Sequence, residues 1–320
     1  MSAPPLDQTA VQTPAVALVK SPPAPPEPPA APRPTADPAP PRRARPPASA
    51  GRRRLLQAAT AVSLLGFLCV GFAVFLLGFA GLQEQHFQST DYKTFALALS
   101  GAVAPTGSAP DGAPVAVIDI PAIGLHSAVV VEGTTGKDLM RGPGHRRDTA
   151  LPGQQGVSVL FGRSVTFGAP FAGITRLRTG DKIYATTGQG RFSYTVNAFG
   201  NGDKPVTGAA GTSRLVLATG NSSWIPTGTE LVGATLDGTA APNPGGRPAV
   251  IPQDKALAAD DLGLAPLQLW SLALLGAVLL VTVGARVWHR QAAYLVGAPV
   301  VLALLWSVYE NAAQLLPNLY

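Results

Sequence analysis

Three long runs without a charged side chain constrain this chain more than any other feature. Leu55 to Leu82 has none over 28 positions, Leu262 to Ala285 none over 24, and Gln291 to Tyr309 none over 19. About 20 apolar residues in helix cross the ~30 Å hydrocarbon core of a bilayer. Each run is therefore expected as a transmembrane helix: residues 55–82, 262–285 and 291–309. Gly297 and Pro299 should loosen or kink the third. The first run starts after 54 residues and is too long for a cleavable signal peptide. Arginines set the expected orientation. Arg42, Arg43, Arg45 and Arg52 to Arg54 precede the first run, and Arg286 and Arg290 flank the short link between the second and third. The positive-inside rule puts both segments in the cytoplasm. The region between the first two spans, and Glu310 to Tyr320, should then face outside.

Residues 1–54 hold 16 of the 32 prolines, eight Lys or Arg, three Asp or Glu and no aromatic residue. Such a segment cannot bury enough apolar surface to offset its ordering entropy, so a disordered cytoplasmic tail is expected. Pro22 to Pro26 and Pro40-Pro41 favour polyproline II. The tail reads either as a spacer or as a docking arm for a cytoplasmic protein partner. It also supplies five of the six units of net positive charge, eight basic minus three acidic residues. Basic residues beside a membrane are accounted for by topology and anionic lipid. With no accompanying recognition motif, no nucleic-acid partner is expected.

Between the first two spans the sequence is β-prone. Val115–Asp119, Ser127–Val131, Val157–Phe161, Lys182–Ala185, Phe192–Val196, Leu215–Thr219 and Glu230–Thr235 are short runs separated by glycine, proline or asparagine. Seven such runs fit one small closed barrel or sandwich over residues 113–238. Residues 83–112 and 239–261, rich in Ala, Gly and Pro, read as linkers.

Specific blocks sharpen this. The chain carries Ile120-Pro121-Ala122-Ile123-Gly124-Leu125, Val131-Glu132-Gly133-Thr134 and Leu139-Met140-Arg141-Gly142-Pro143-Gly144-His145. Thr149 to Gln154, Leu160 to Ser164, Thr166 to Phe171 and Gly180 to Ile183 follow in order. In this order and spacing the region resembles the membrane-anchored sortases of actinobacteria, which are cysteine transpeptidases. The resemblance implies a sortase-like closed β-barrel outside a bacterial plasma membrane, with the lipid bilayer as one partner and an envelope ligand as another.

The same resemblance locates three catalytic positions, and all three are changed. The family's histidine follows a glycine, where this chain has Gly162-Arg163-Ser164. Its cysteine ends a strand, where this chain has Leu217-Ala218-Thr219-Gly220. Its arginine opens the next strand, at Thr229 or Glu230 here, and no arginine occurs between Arg214 and Arg247. The single cysteine, Cys69, lies in the first apolar run. Acyl transfer needs a nucleophile, a proton carrier and donors for the oxyanion. Glycine supplies no nucleophile, and an arginine guanidinium is no general base. Glutamate would repel the developing negative charge.

Arg163, Gly220 and Glu230 are therefore expected to be degenerate positions, with no catalytic residue, cofactor or metal. His145 sits in a block where sortase relatives carry a non-catalytic histidine. His126 and His145 are too isolated to suggest zinc. Ser164, Ser222 and Ser223 lack a Gly-x-Ser-x-Gly turn. The expectation is a non-catalytic membrane protein that binds, scaffolds or recruits. The alternative is a working sortase-type transpeptidase or hydrolase with relocated catalytic groups.

Overall fold

The computed structural model describes residues 50–206, 211–221, 225–287 and 290–320. The proline-rich tail expected to be disordered lies outside the described residues as far as position 49. Its last residues, from Ala50 on, already belong to the first helix.

That helix is longer than its apolar run. Gly51–Ser100 forms a continuous 50-residue helical rod. It comprises α1 (Ala50–Val74), one π-helical turn (Phe75–Phe79) and α2 (Ala80–Ser100). Residues 83–100, expected as linker, are thus helical. They contain neither glycine nor proline, and the helix stops where Gly101 follows Ser100. Packing on the barrel holds this extension. Phe95, 1% exposed, clusters with Ala104, Val117 and Val129. The Gln88 side-chain amide behaves like an extra backbone unit. It accepts from Val129 N at 2.7 Å and donates to Val129 O at 3.0 Å and Arg141 O at 2.7 Å. Arg141 in turn donates through Nε and Nη2 to buried Asp91, at 3.1 and 2.5 Å, a bidentate pairing that fixes geometry as well as charge.

Eight strands close the barrel. They are β1 (Pro114–Ile120), β2 (Leu125–Glu132), β3 (Gly144–His145), β4 (Val157–Phe161), β5 (Lys182–Thr187), β6 (Gly190–Asn201), β7 (Arg214–Gly220) and β8 (Thr229–Asp237). Their order around the barrel is β1-β2-β3-β4-β7-β8-β6-β5, and β5 closes antiparallel on β1. The pairs β2–β3 and β4–β7 are parallel, and the rest are antiparallel. Seven strands coincide with the β-prone runs. The eighth, β3, has two residues and no alternation to detect. Alternate residues point inward. Ile118, Ile120, Leu160, Ile183, Tyr194, Leu215, Leu217, Val232 and Ala234 fill a single core.

Residues 239–261 run irregularly along the barrel and are pinned by ions. Arg147 Nε lies 2.7 Å from Asp254, and its Nη1 lies 3.0 Å from Asp111. Thr134 Oγ1 donates to Asp254 O at 2.9 Å. The chain then enters α3 (Leu264–Val287) and α4 (Arg290–Ala313), which pack as a hairpin. The link residues Trp288 and His289 lie outside the described residues. The described residues thus contain three helices long and apolar enough to cross a membrane.

Beyond α4 the chain does not trail away. Residues 314–320 turn back onto the barrel, with Asn318 and Leu319 at 0% exposure.

Candidate functional site

The site is built on the neighbouring parallel strands β4 and β7, whose registers run from Val157↔Arg214 to Phe161↔Ala218. Leu215 and Leu217 point into the barrel core. Ala218 and Gly220 therefore take the outer face. On that face Ala218 and Phe161 cluster with Leu139 and Leu319. Thr219 points the other way and donates its hydroxyl to Gly162 O at 2.9 Å. This ties the end of β7 to the turn after β4.

Gly220 has no room for a side chain. An ideal Cβ there would lie 2.8 Å from Pro226 Cβ, 3.0 Å from Leu319 O and 3.0 Å from Ser164 Oγ. Its backbone φ is not in the left-handed region, so the requirement for glycine is spatial, not conformational.

Arg163 follows the turn after β4 and is 0% exposed. Its Nη2 donates to Gly136 O at 3.0 Å and its Nη1 to Thr166 Oγ1 at 3.2 Å. The guanidinium carbon stands 4.9 Å from the Phe167 ring centre. Nε has no hydrogen-bond partner. Burial pushes the Arg163 pKa down to about 9, because the low dielectric penalises the charged form. At neutral pH the group is still a cation, so it cannot accept a proton.

Arg163 and Gly220 border one space, and that space is filled by the chain itself. Ser164 N and Ser164 Oγ both donate to Leu319 O, at 3.1 and 2.9 Å. Thr166 Oγ1 donates to Tyr320 O at 2.7 Å. Glu230 does not share this face. It pairs with Thr219 across the β7–β8 ladder, whereas Thr229 pairs with Gly220. Directly opposed residues share a face. The residue of β8 beside Gly220 is thus Thr229, and the Glu230 carboxylate is not aimed at Gly220.

The remaining candidates are scattered or engaged. His145 and Glu132 are both fully buried, with Nδ1 2.9 Å from Glu132 Oε2. Its Nε2 lies 2.9 Å from Ala150 O and 3.1 Å from Thr149 Oγ1. Both ring nitrogens are therefore occupied within the protein. His126 is exposed on β2. Ser222 and Ser223 lie outside the described residues. Cys69 is exposed on α1, among Leu68, Phe72, Leu274 and Leu275 of the long apolar helices. Among the described residues, no group of three or more His, Cys, Asp or Glu is placed to hold a metal. A cavity of about 740 Å³ lies at the opposite end of β4 and β7, beside Val157 and Arg214, and none of the sequence candidates lines it. The sequence places Glu310 to Tyr320 outside without assigning residues 318–320 a place at the site. The signal was present as Leu315-Leu316-Pro317-Asn318-Leu319-Tyr320, an apolar stretch continuing past the expected span.

Residues 118–225 match the family model described as the sortase domain. The closed barrel is a sortase domain, and it covers about a third of the chain. It is similar to sortase E from Streptomyces avermitilis, with 30% identity over 41% of this chain and 91% of that one, at a TM-score of 0.36. It is also similar to a Clostridium perfringens sortase D5 transpeptidase, with 23% identity over 48% and 99% and a TM-score of 0.41. The corresponding values for the SrtF sortase of Corynebacterium diphtheriae are 22%, 44% and 93%, and 0.37. No curated protein matches the sequence.

Proposed function

We propose that this protein is a non-catalytic, membrane-anchored member of the sortase family. It acts as a binding, scaffold or recruitment factor between a cytoplasmic partner and the cell envelope. The observation that carries this reading is Gly220. The strand end where the family keeps its thiolate has no side chain and no space for one. Arg163, fully buried and cationic, supports it, as do the two occupied nitrogens of His145.

The three membrane-capable helices suggest membrane association, and the flanking arginines support an inside tail and an outside barrel. An enzyme reporter active only in the cytoplasm should be active when fused at residue 50 and silent when fused at residue 240. The reverse pattern overturns the orientation.

The family match favours a second reading, since sortases are normally transpeptidases. Here Ser164, the hydroxyl beside Gly220, would have to replace the thiol. Among the described residues its hydroxyl bonds to Leu319 O, and no histidine or carboxylate is bonded to it. The experiment is cleavage of a sorting-signal peptide by the purified full chain in detergent. The expected result is no cleavage above buffer. Cleavage abolished by Ser164→Ala would establish the second reading.

A further inference from the structure

We propose that the outer face of β4 and β7 is a peptide-binding cleft whose resident ligand is the chain's own segment Pro317–Tyr320. The segment lies across Gly220 and Ser164 and is read by three kinds of contact. The first is backbone recognition. Ser164 N and Oγ converge on Leu319 O, at 3.1 and 2.9 Å, and Thr166 Oγ1 donates to Tyr320 O at 2.7 Å. A hydroxyl has one proton, and Arg163 decides where that of Thr166 goes. Arg163 Nη1 donates to Thr166 Oγ1 at 3.2 Å, so the Thr166 proton is left for Tyr320 O. The cation also polarises the hydroxyl and strengthens that bond.

The second contact is apolar. Leu319, at 0% exposure, packs with Leu139, Phe161 and Ala218. The third is Asn318, also at 0%. Its Nδ2 donates to Gln253 O at 2.6 Å and Lys255 O at 2.9 Å, and its backbone N donates to Ala258 O at 3.0 Å. Residues 253–258 thus form the far wall of the cleft.

The inference rests on the non-catalytic reading in one respect. It gives a use to the two replaced positions. Gly220 leaves the space that Leu319 O occupies, and Arg163 orients the hydroxyl that holds Tyr320. A partner able to displace the segment would present an extended peptide with an asparagine followed by an apolar residue. Displacement would free the end of α4, so cleft occupancy and the membrane hairpin are mechanically joined.

Hydrogen exchange on the full chain in detergent tests this directly, read at the Ser164 amide with Leu217 in mid-β7 as the internal reference. In the parent, Ser164 should be protected. Gly220→Val, which fills the place of Leu319 O, should accelerate Ser164 exchange at least tenfold and leave Leu217 unchanged. A labelled peptide of residues 314–320 should bind a variant ending at Leu315 saturably, and bind the parent at least tenfold more weakly. Unprotected Ser164 in the parent overturns the proposal, as does Ser164 protection indifferent to Gly220→Val. Equal binding of the peptide by parent and truncated chain, or by neither, also overturns it. Should the truncated chain fail to fold, the exchange experiment decides alone. Peptide cleavage is scored separately: cleavage by the parent counts against the function proposed above, whereas Ser164 protection reports only on the segment.

Discussion

At the scale of single residues, Arg163 and Gly220 are woven into the packing, and this makes them hard to substitute. Consider Gly220→Cys combined with Arg163→His and Glu230→Arg. The new Cβ meets Pro226 at 2.8 Å and Leu319 O at 3.0 Å. Overpacking of this kind costs ~1–3 kcal/mol. Arg at position 230 would sit opposite Thr219, on the face away from Gly220. Loss of Arg163 would leave Gly136 O without its donor. The triple variant should unfold at lower denaturant than the parent and still cleave no sorting-signal peptide. Cleavage at a measurable rate would show that the cleft kept its catalytic shape.

Asp138 gives a second test at this scale. Burial raises its pKa from 3.8 to about 6, opposed by hydrogen bonds from the Thr135 hydroxyl and N–H. The folded state therefore holds this proton more tightly than the unfolded chain. The stabilisation is full below about pH 4 and is lost as pH rises through about 6. A shift of that size is worth at most ~3 kcal/mol. Asp138→Asn should flatten the fall in denaturation midpoint between pH 4 and 6 relative to the parent. An unchanged slope would show that Asp138 does not carry it.

At the scale of elements, the π-helical turn at Phe75–Phe79 is the joint between the membrane-capable helices and the barrel. Phe75 is 2% exposed. Its ring lies 4.9 Å from Trp306 and 5.9 Å from Tyr309 on α4, and 6.5 Å from Phe167 on the barrel. Truncating a buried Phe costs ~3–5 kcal/mol in soluble cores. Lipid can fill part of the gap here, so Phe75→Ala should cost ~3 kcal/mol or less and lower the thermal midpoint in detergent. No change would mean that the joint is not load-carrying. What the sequence disclosed at this scale follows from periodicity. Seven strands alternate and are long enough to read, while Gly144–His145 is too short. The apolar runs marked three helices but not their ends, because Phe95 and Gln88 are fixed by barrel contacts far away in sequence. The flanking blocks single out Arg163 and Gly220 in the sequence. The common neighbour of the two, Leu319, is not singled out, since it is 99 residues beyond Gly220 by subtraction of their numbers. The outward-facing β8 residue, Thr229 and not Glu230, depends on a register that a motif does not carry.

At the scale of the whole molecule, anchoring does not account for the length of the tail. One apolar helix is enough to anchor a protein, and by the positive-inside rule Arg52 to Arg54 are enough to orient it. The other residues before the first span, with their 16 prolines, need another use. We propose that this proline-rich segment captures a cytosolic complex at the membrane. Deleting Ser2 to Ala50 while keeping Arg52 to Arg54 separates the two uses. The shortened chain should insert with the same orientation, give the same hydrogen exchange at Ser164, and lose co-purification of its cytoplasmic partner. Orientation and exchange serve as controls, because neither depends on the arm if it is a docking element. If the shortened chain retains the partner, or supports the full cellular phenotype of the intact one, the arm is a spacer and recruitment must be sought on the barrel.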